Sequence, residues 1–144
     1  MELLINVDFG GGFGVSSKVL VKLLELDSVI LTKHTLNECG YLNLKDFIRN
    51  DIKLRDYNIS VLLGDDIILE GIRDTSCIYS KGFIYTIDNT SKEVRTNIDI
   101  INIVRELGDK ANRFNSLLKI VNIPDNSNFQ INEYDGKEFV ELLK

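Results

Sequence analysis

The chain has 144 residues, with 17 Lys plus Arg against 22 Asp plus Glu and a formal net charge of −5. Its length corresponds to one domain, and its 44% hydrophobic content is enough for a buried core without a disulfide or metal. The negative charge excludes a general nucleic-acid binder, because neutralising phosphates requires a basic surface. It leaves room for one small anionic ligand in a local basic pocket. No run reaches the roughly 18 apolar residues of a membrane span, and we expect a soluble, intracellular protein.

The first third of the chain predicts a strand, a glycine-rich loop and a helix. Leu3–Asp8 is a short apolar run typical of a central strand. The loop that follows has the sequence FGGGFGVSS over residues 9–17, and either Ser16 or Ser17 is expected to cap the helix. One apolar helix face is predicted from Val19, Leu20, Leu23 and Leu24.

The middle of the chain favours strands, with a short helix over Leu44–Leu54. Two hairpins are predicted, one turning at residues 64–66 and one at Lys81-Gly82. The expected strands are Val29–Leu31, Ile59–Leu63, Ile67–Leu69, Cys77–Ser80 and Phe83–Ile87.

A second long helix is the clearest local signal. Apolar residues recur at helical spacing from Ile100 to Phe114, Thr96 with Asp99 resembles a capping box, and Gly108 is expected to end or bend the helix. Strands are predicted at Leu117–Ile123 and Phe129–Glu133, and a short helix or tail at Glu138–Leu143. Together these elements predict one α+β domain over residues 1–144, with a mostly antiparallel sheet and two main helices.

No catalytic or metal centre is predicted. Cys39 and Cys77 form no CxxC pair and His34 is the only histidine, so neither a zinc site nor a Cys–His nucleophile is indicated. The carboxylates at Asp65, Glu133 and Asp135 have no nucleophile–base partner in the sequence pattern. We expect no cofactor.

Three features are candidates for ligand contact, and each has a structural alternative. The glycine loop is either an anion-contacting loop or a turn that needs unusual backbone angles, and it matches neither a P-loop nor GxGxxG. Phe83 either stacks on a base or belongs to the core. Arg95 either holds a phosphate or forms a surface salt bridge.

Several motifs in the same order resemble a small phage-encoded family. The segments are GGFGVS at residues 11–16, VRTN at 94–97, INIVRELGDKANRF at 101–114, LKIVNIPD at 118–125 and INEYDG at 131–136. They are similar to the GGFGLS turn and the VVEELG-KAN, LKIVEIPDD and IEEYDG-E pattern of the type 1 phage Thoeris anti-defence family. The resemblance covers about residues 3–24 and 94–140, and not residues 25–93.

Two departures from the family pattern lie near the second helix. The family commonly has Arg-x-Asp-Pro before this helix, whereas here Arg95 is followed by Thr96, Asn97 and Ile98. Asn97 therefore cannot supply the negative charge of the Asp, and the proline that favours a helix start is missing. The usual glycine between Asn112 and Arg113 is also missing.

The resemblance implies a counter-defence protein of the infected host's cytoplasm. Such proteins bind a cyclic ADP-ribose isomer without degrading it, form homo-oligomers, here expected as a dimer or hexamer, and some also bind cyclic oligonucleotides. Such a ligand carries a diphosphate, two riboses and an adenine, and the residue chemistry of this sequence suits it. Phosphate contacts are expected from Arg95 and Arg113, and ribose or base contacts from Asn97 and Asn112. Stacking is expected from Phe83 or Phe13, and close approach at Gly12, Gly14 and Ser16.

Three functions therefore stay open. The first is a non-enzymatic, oligomeric binder that sequesters a cyclic nucleotide signal. The second is an enzyme that cleaves such a signal, with Glu133, Asp135 or Asp65 as its acid or base. The third is a protein that blocks a defence effector through a sheet edge or a helix face.

Overall fold

The computed structural model describes residues 1–35, 68–70, 77–80, 83–113 and 115–143. Within them are the helices α1 Ser17–Glu25, α2 Lys92–Thr96 and α3 Ile98–Leu107, with a 3₁₀ turn over Gly108–Ala111. The strands are β1 Glu2–Asn6, β2 Thr32–Thr35, β3 Ile68–Glu70, β4 Cys77–Ser80, β5 Phe83–Thr86, β6 Leu118–Asn122, β7 Asn128–Tyr134 and β8 Lys137–Leu143. The predicted α+β class is confirmed, with α1 and α3 as the two longer helices of the described residues.

All described strand pairs are antiparallel, as predicted, but they form three sheets instead of one. The sheets are β1-β6, β2-β5-β4-β3 and β7-β8. The separation of β1-β6 from the other sheets is explained by the edge of β1 that faces away from β6. Side chains bind the backbone of that edge in place of another strand. Arg95 donates to the Leu4 carbonyl at 3.3 Å, and the Asn6 amide donates to Glu138 at 2.8 Å.

β1 lies between two apolar clusters, which explains its compact apolar sequence. Leu4 faces the larger cluster, whereas Leu3 and Ile5 face the smaller one, because successive strand residues point to opposite sides. The larger cluster includes Val19, Leu20 and Leu23 of α1, Ile100, Ile103 and Val104 of α3, and Phe13, Val15, Ile78, Ile87, Val94 and Ala111. The smaller one adds Ile123 and Phe129.

The segment around the end of α1 differs from the prediction. Val29–Leu31 is not a strand, because the chain turns there. The Ser28 amide donates to the Leu23 carbonyl, and the Ser28 carbonyl accepts from the Leu31 amide. The strand begins only at Thr32, and Val29 is 90% exposed. The expected hydroxyl cap is also wrong: Ser16 occupies the N-cap, but its Oγ donates to the carbonyl of Lys110 at 2.6 Å.

The predicted second helix is α3 followed by a 3₁₀ turn, and the short helix α2 that precedes it was not predicted. Thr96 belongs to α2, where its hydroxyl donates to the Lys92 carbonyl, so the Thr96–Asp99 capping box is wrong. Asn97 has an extended backbone and separates the helices; its Oδ1 accepts from the amides of Asp99 at 2.8 Å and Ile100 at 3.3 Å. Gly108, at φ 58°, ends α3 as predicted. Phe114 lies outside the described residues.

The capping correction makes a testable prediction. Asn97→Ala removes the acceptor for two amides in the first turn of α3 that have no carbonyl partner within the helix. It is expected to cost about 1 kcal/mol of unfolding free energy. Thr96→Ala removes only a hydroxyl that bonds within its own helix, and is expected to cost less than about 0.5 kcal/mol. Urea titration followed by circular dichroism measures both. A larger loss of unfolding free energy in Thr96→Ala than in Asn97→Ala would support Thr96 as the capping residue instead.

The C-terminal segment is a hairpin instead of a strand and a helix. The strands predicted at Leu117–Ile123 and Phe129–Glu133 are confirmed as β6 and β7, but Glu138–Leu143 continues as β8. Asp135 and Gly136 turn the chain with φ of 49° and 87°, the pair of positive angles of a type I′ hairpin turn.

The middle of the chain is described in part. The predicted pairing of Cys77–Ser80 with Phe83–Ile87 is confirmed as β4 with β5, and Ile67–Leu69 overlaps β3, which pairs with β4. Outside the described residues lie the helix predicted at Leu44–Leu54, the strand predicted at Ile59–Leu63, and the turn residues of both predicted hairpins.

Candidate functional site

The glycine loop packs against the segment that follows the 3₁₀ turn. Arg113 donates through Nη2 to the Gly11 carbonyl at 3.0 Å, and Ser116 Oγ donates to the Gly12 carbonyl at 2.7 Å. A Cβ added at Gly11 would overlap the backbone of Asn115, so only glycine fits there. These contacts hold the carbonyl side of the loop against Arg113, Asn115 and Ser116.

The amide side of the loop faces the β7–β8 turn. The Gly10 amide donates to the Asp135 carbonyl at 2.6 Å. A Cβ built on Gly136 would lie 2.8, 3.0 and 3.2 Å from the amide nitrogens of Gly12, Gly10 and Gly11. Clusters of successive backbone amides bind anions elsewhere. Here Gly136 occupies the space beside these three nitrogens, and the Gly10 amide already donates to Asp135.

Arg95 is a buried residue with a full set of protein partners. It is 5% exposed, and its Nη1 and Nη2 lie 2.7 and 2.9 Å from the two carboxylate oxygens of Glu138. Nε and Nη2 donate to the Asn89 carbonyl, and Nη1 to that of Leu4. These contacts match the five N–H bonds of a guanidinium group. The Cζ carbon of the Arg95 guanidinium group lies 3.5 Å from the centre of the buried Phe13 ring.

Asn6 is the second centre of this network. Its fully buried side chain donates to the carbonyls of Gly136 at 2.7 Å and Asp8 at 3.0 Å, and accepts from the Leu117 amide at 2.8 Å. The backbone amide of Asn6 donates to Glu138. Asn6 therefore connects β1 with the start of β6 and with the β7–β8 hairpin.

The other residues predicted near the loop also bind neighbouring backbone. Asn112 accepts the Leu118 amide at 2.8 Å and forms a backbone bridge with Val15. A Cβ at Gly14 would overlap the Arg113 guanidinium, so this glycine makes room for that side chain. Seven of the predicted contact residues thus lie around the loop and its supports: Gly12, Phe13, Gly14, Ser16, Arg95, Asn112 and Arg113.

Phe83 lies apart from them, on the sheet formed by β2 to β5. Lys33 places its ammonium 3.8 Å from the centre of the half-buried Phe83 ring. In the strand register Lys33 pairs with Tyr85 and Thr35 with Phe83, so Lys33, Phe83 and Tyr85 share one face of the sheet. An aromatic ring and an exposed cation thus stand together near the end of β2.

Asn97 lines a separate groove of about 530 Å³. One wall is the turn between α1 and β2, and the other runs from the end of β5 to the start of α3. The lining residues are Val29, Ile30, Thr32, Asp88, Ser91, Glu93, Val94, Thr96 and Asn97. Asp88 and Glu93 are the charged members of this described set. The Thr90 hydroxyl and amide both donate to Asp88 Oδ1 and hold the pKa of that carboxyl below its usual value.

No protein-family model, no curated protein and no solved structure matches this chain. Within the described ranges, no three His, Cys, Asp or Glu side chains are grouped as metal ligands. No helix in that part of the chain is long and apolar enough to cross a bilayer.

Sequence reasoning missed Asn6, Glu138 and Lys33. Asn6 ends an apolar strand and has no local signal for its long-range bonds. Glu138 sits in a segment without a helix period, where the preceding Asp135-Gly136 was the available hairpin signal. Lys33 follows the Val29–Leu31 run, and its position beside Phe83 depends on the pairing of β2 with β5.

Proposed function

We propose that this chain binds and sequesters a cyclic ADP-ribose isomer without degrading it, as a phage counter-defence protein in the cytoplasm of the infected host. The motif resemblance supports the class of ligand. The proximity of Lys33 to Phe83 is the observation on which the location of the binding site is based. The same family resemblance supports a homo-oligomer, a dimer or hexamer, with cyclic oligonucleotides as further ligands.

The Lys33–Phe83 pair has the two groups that such a ligand requires. A base gains about 1–3 kcal/mol by stacking on an aromatic side chain, whereas an exposed ammonium gains about 0.5–1 kcal/mol from a ring face. An adenine therefore replaces the Lys33 ammonium over Phe83 favourably. Lys33 is exposed at its end of the sheet, so the displaced ammonium is able to pair with the diphosphate.

This proposal changes the role expected of Arg95. Its guanidinium donors bind Glu138 and two backbone carbonyls, so a phosphate would have to compete with an ion pair buried in the protein. We assign the main cationic contact to Lys33, and to Arg95 the support of Phe13 and β1. A sponge must outcompete the effector for the signal, so a dissociation constant in the nanomolar range is expected, about −12 kcal/mol.

Capture and release tests the proposal. Purified protein is mixed with cyclic ADP-ribose isomers, filtered and heat-denatured, and the released ligand is identified by HPLC with mass detection. Near-stoichiometric return of intact ligand is expected. Phe83→Ala should weaken binding at least tenfold, and Lys33→Ala several-fold, with the Lys33 effect decreasing at high salt.

Lys137→Ala and Phe139→Ala are the matched controls. Lys137 also lies near aromatic rings, 5.1 Å from the centre of Phe9 and 5.7 Å from that of Phe139, but on the β7–β8 sheet. Both controls should bind the ligand as the wild type does. Unchanged affinity in Phe83→Ala and Lys33→Ala would reject the site. Return of a smaller product would reject sequestration in favour of an enzyme.

A further inference from the structure

The groove lined by Asp88 and Glu93 has a chemistry opposite to that of the proposed nucleotide site. It contains two carboxylates and, among its described lining residues, no Lys, Arg or His. Asp88 is exposed and carries a negative charge at neutral pH, as an exposed Asp does, and the bonds from Thr90 lower its pKa further. Its volume of about 530 Å³ is within the range of small-molecule sites. An anionic nucleotide is disfavoured there by charge repulsion.

Most neutral polar groups of the groove already have protein partners. The Ser91 hydroxyl accepts from the amides of Glu93 and Val94, and the Thr96 hydroxyl donates within α2. Asn97 Oδ1 caps α3. The two bonds from Thr90 to Asp88 both end at Oδ1, so the second carboxylate oxygen adds to the charge available to a ligand.

The remaining lining surface is apolar. Val29 and Ile30 form one wall, and Val94 lies in the opposite wall. Val29 is 90% exposed, although a valine at the surface gains nothing from contact with water. A complementary ligand has positive ends for the carboxylates and a hydrocarbon middle for these side chains.

We propose that this groove binds an aliphatic diamine or polyamine. Each ammonium pairs with Asp88 or Glu93, and the methylene chain lies along Val29 and Ile30. The site is separate from Lys33 and Phe83, and the proposal does not depend on the function proposed above. Because both carboxylates are exposed, the affinity is modest, with a dissociation constant on the order of 1 mM.

Titration of the full chain with 1,5-diaminopentane at fixed ionic strength tests the proposal, followed by amide chemical shifts in NMR. Shifts are expected in residues 29–32 and 88–97. The isosteric probe 1,5-pentanediol has the same hydrocarbon length without charge and should not bind. Asp88→Asn/Glu93→Gln should weaken diamine binding about tenfold, and Val29→Ser, at an exposed position, about threefold.

Glu106→Gln/Asp109→Asn is the matched charge control. Glu106 lies in the last turn of α3, about 14 Å along the helix from Asn97, and Asp109 lies in the 3₁₀ turn that follows. Removal of these two negative charges should leave the affinity within twofold of wild type. Equal weakening by this control would show diffuse attraction to a negative protein and overturn the proposal. Binding of the diol, or absence of diamine shifts at the groove, would overturn it too.

Discussion

Glu138→Ala is expected to destabilise the protein by about 3–5 kcal/mol, because it leaves the Arg95 charge buried without its partner. The Asn6 amide loses its acceptor in the same variant. Urea unfolding at neutral pH, followed by circular dichroism, measures the loss. The double variant Arg95→Met/Glu138→Leu removes both charges and is expected to recover at least half of it, since an apolar pair carries no desolvated charge.

Glu141→Ala is the control on the same strand. Glu141 is exposed and accepts from the side chains of Gln130 and Asn132, which lower its pKa. Its loss uncovers no buried charge, so the urea midpoint should stay close to that of the wild type. If Glu138→Ala behaves like Glu141→Ala, the Arg95–Glu138 pair does not stabilise the fold.

Gly11→Ala is expected to cost about 3 kcal/mol, whereas Gly12→Ala should cost about 1–2 kcal/mol. At Gly11 the new methyl group would overlap the Asn115 backbone, so one of the two segments must move. At Gly12 nothing lies within 4 Å of a built Cβ, and only the positive φ of 76° opposes alanine.

The two variants form a matched pair because Gly→Ala changes the unfolded chain equally in both. Comparison of their unfolding free energies therefore separates steric overlap from backbone strain. An equal loss in both, or a larger loss in Gly12→Ala, would show that the Asn115 backbone does not restrain the loop. Amide shifts at residues 112–118 should change in Gly11→Ala and stay near wild type in Gly12→Ala.

The sequence was sufficient where local chemistry decides the structure. Leu3–Asp8 predicted a buried strand, because its apolar residues suit a strand covered on both faces. The strand β1 ends at Asn6, and Leu3 and Leu4 indeed face different clusters. Gly108 ends α3 as predicted, since a left-handed backbone favours glycine.

Sequence reasoning was insufficient where distant residues decide. The candidate site shows this limit: Arg95 was considered for a phosphate or a surface salt bridge, and its buried pair with Glu138 depends on a carboxylate 43 positions later. Phe83 is joined by Lys33 through pairing of β2 with β5.

The bonds of Asn6 have a consequence for the order of folding. Its contacts with Gly136 and Glu138 span 130 and 132 residues, and Leu4 meets Arg95 across 91. Contacts at such separations require closure of a long loop before they contribute any stability, which slows folding. On the ribosome, Asn6 is made early but obtains Gly136 and Glu138 only once the chain has been synthesised as far as β8. We therefore expect the bonds of Asn6 to Gly136 and Glu138 to be among the last native contacts to form.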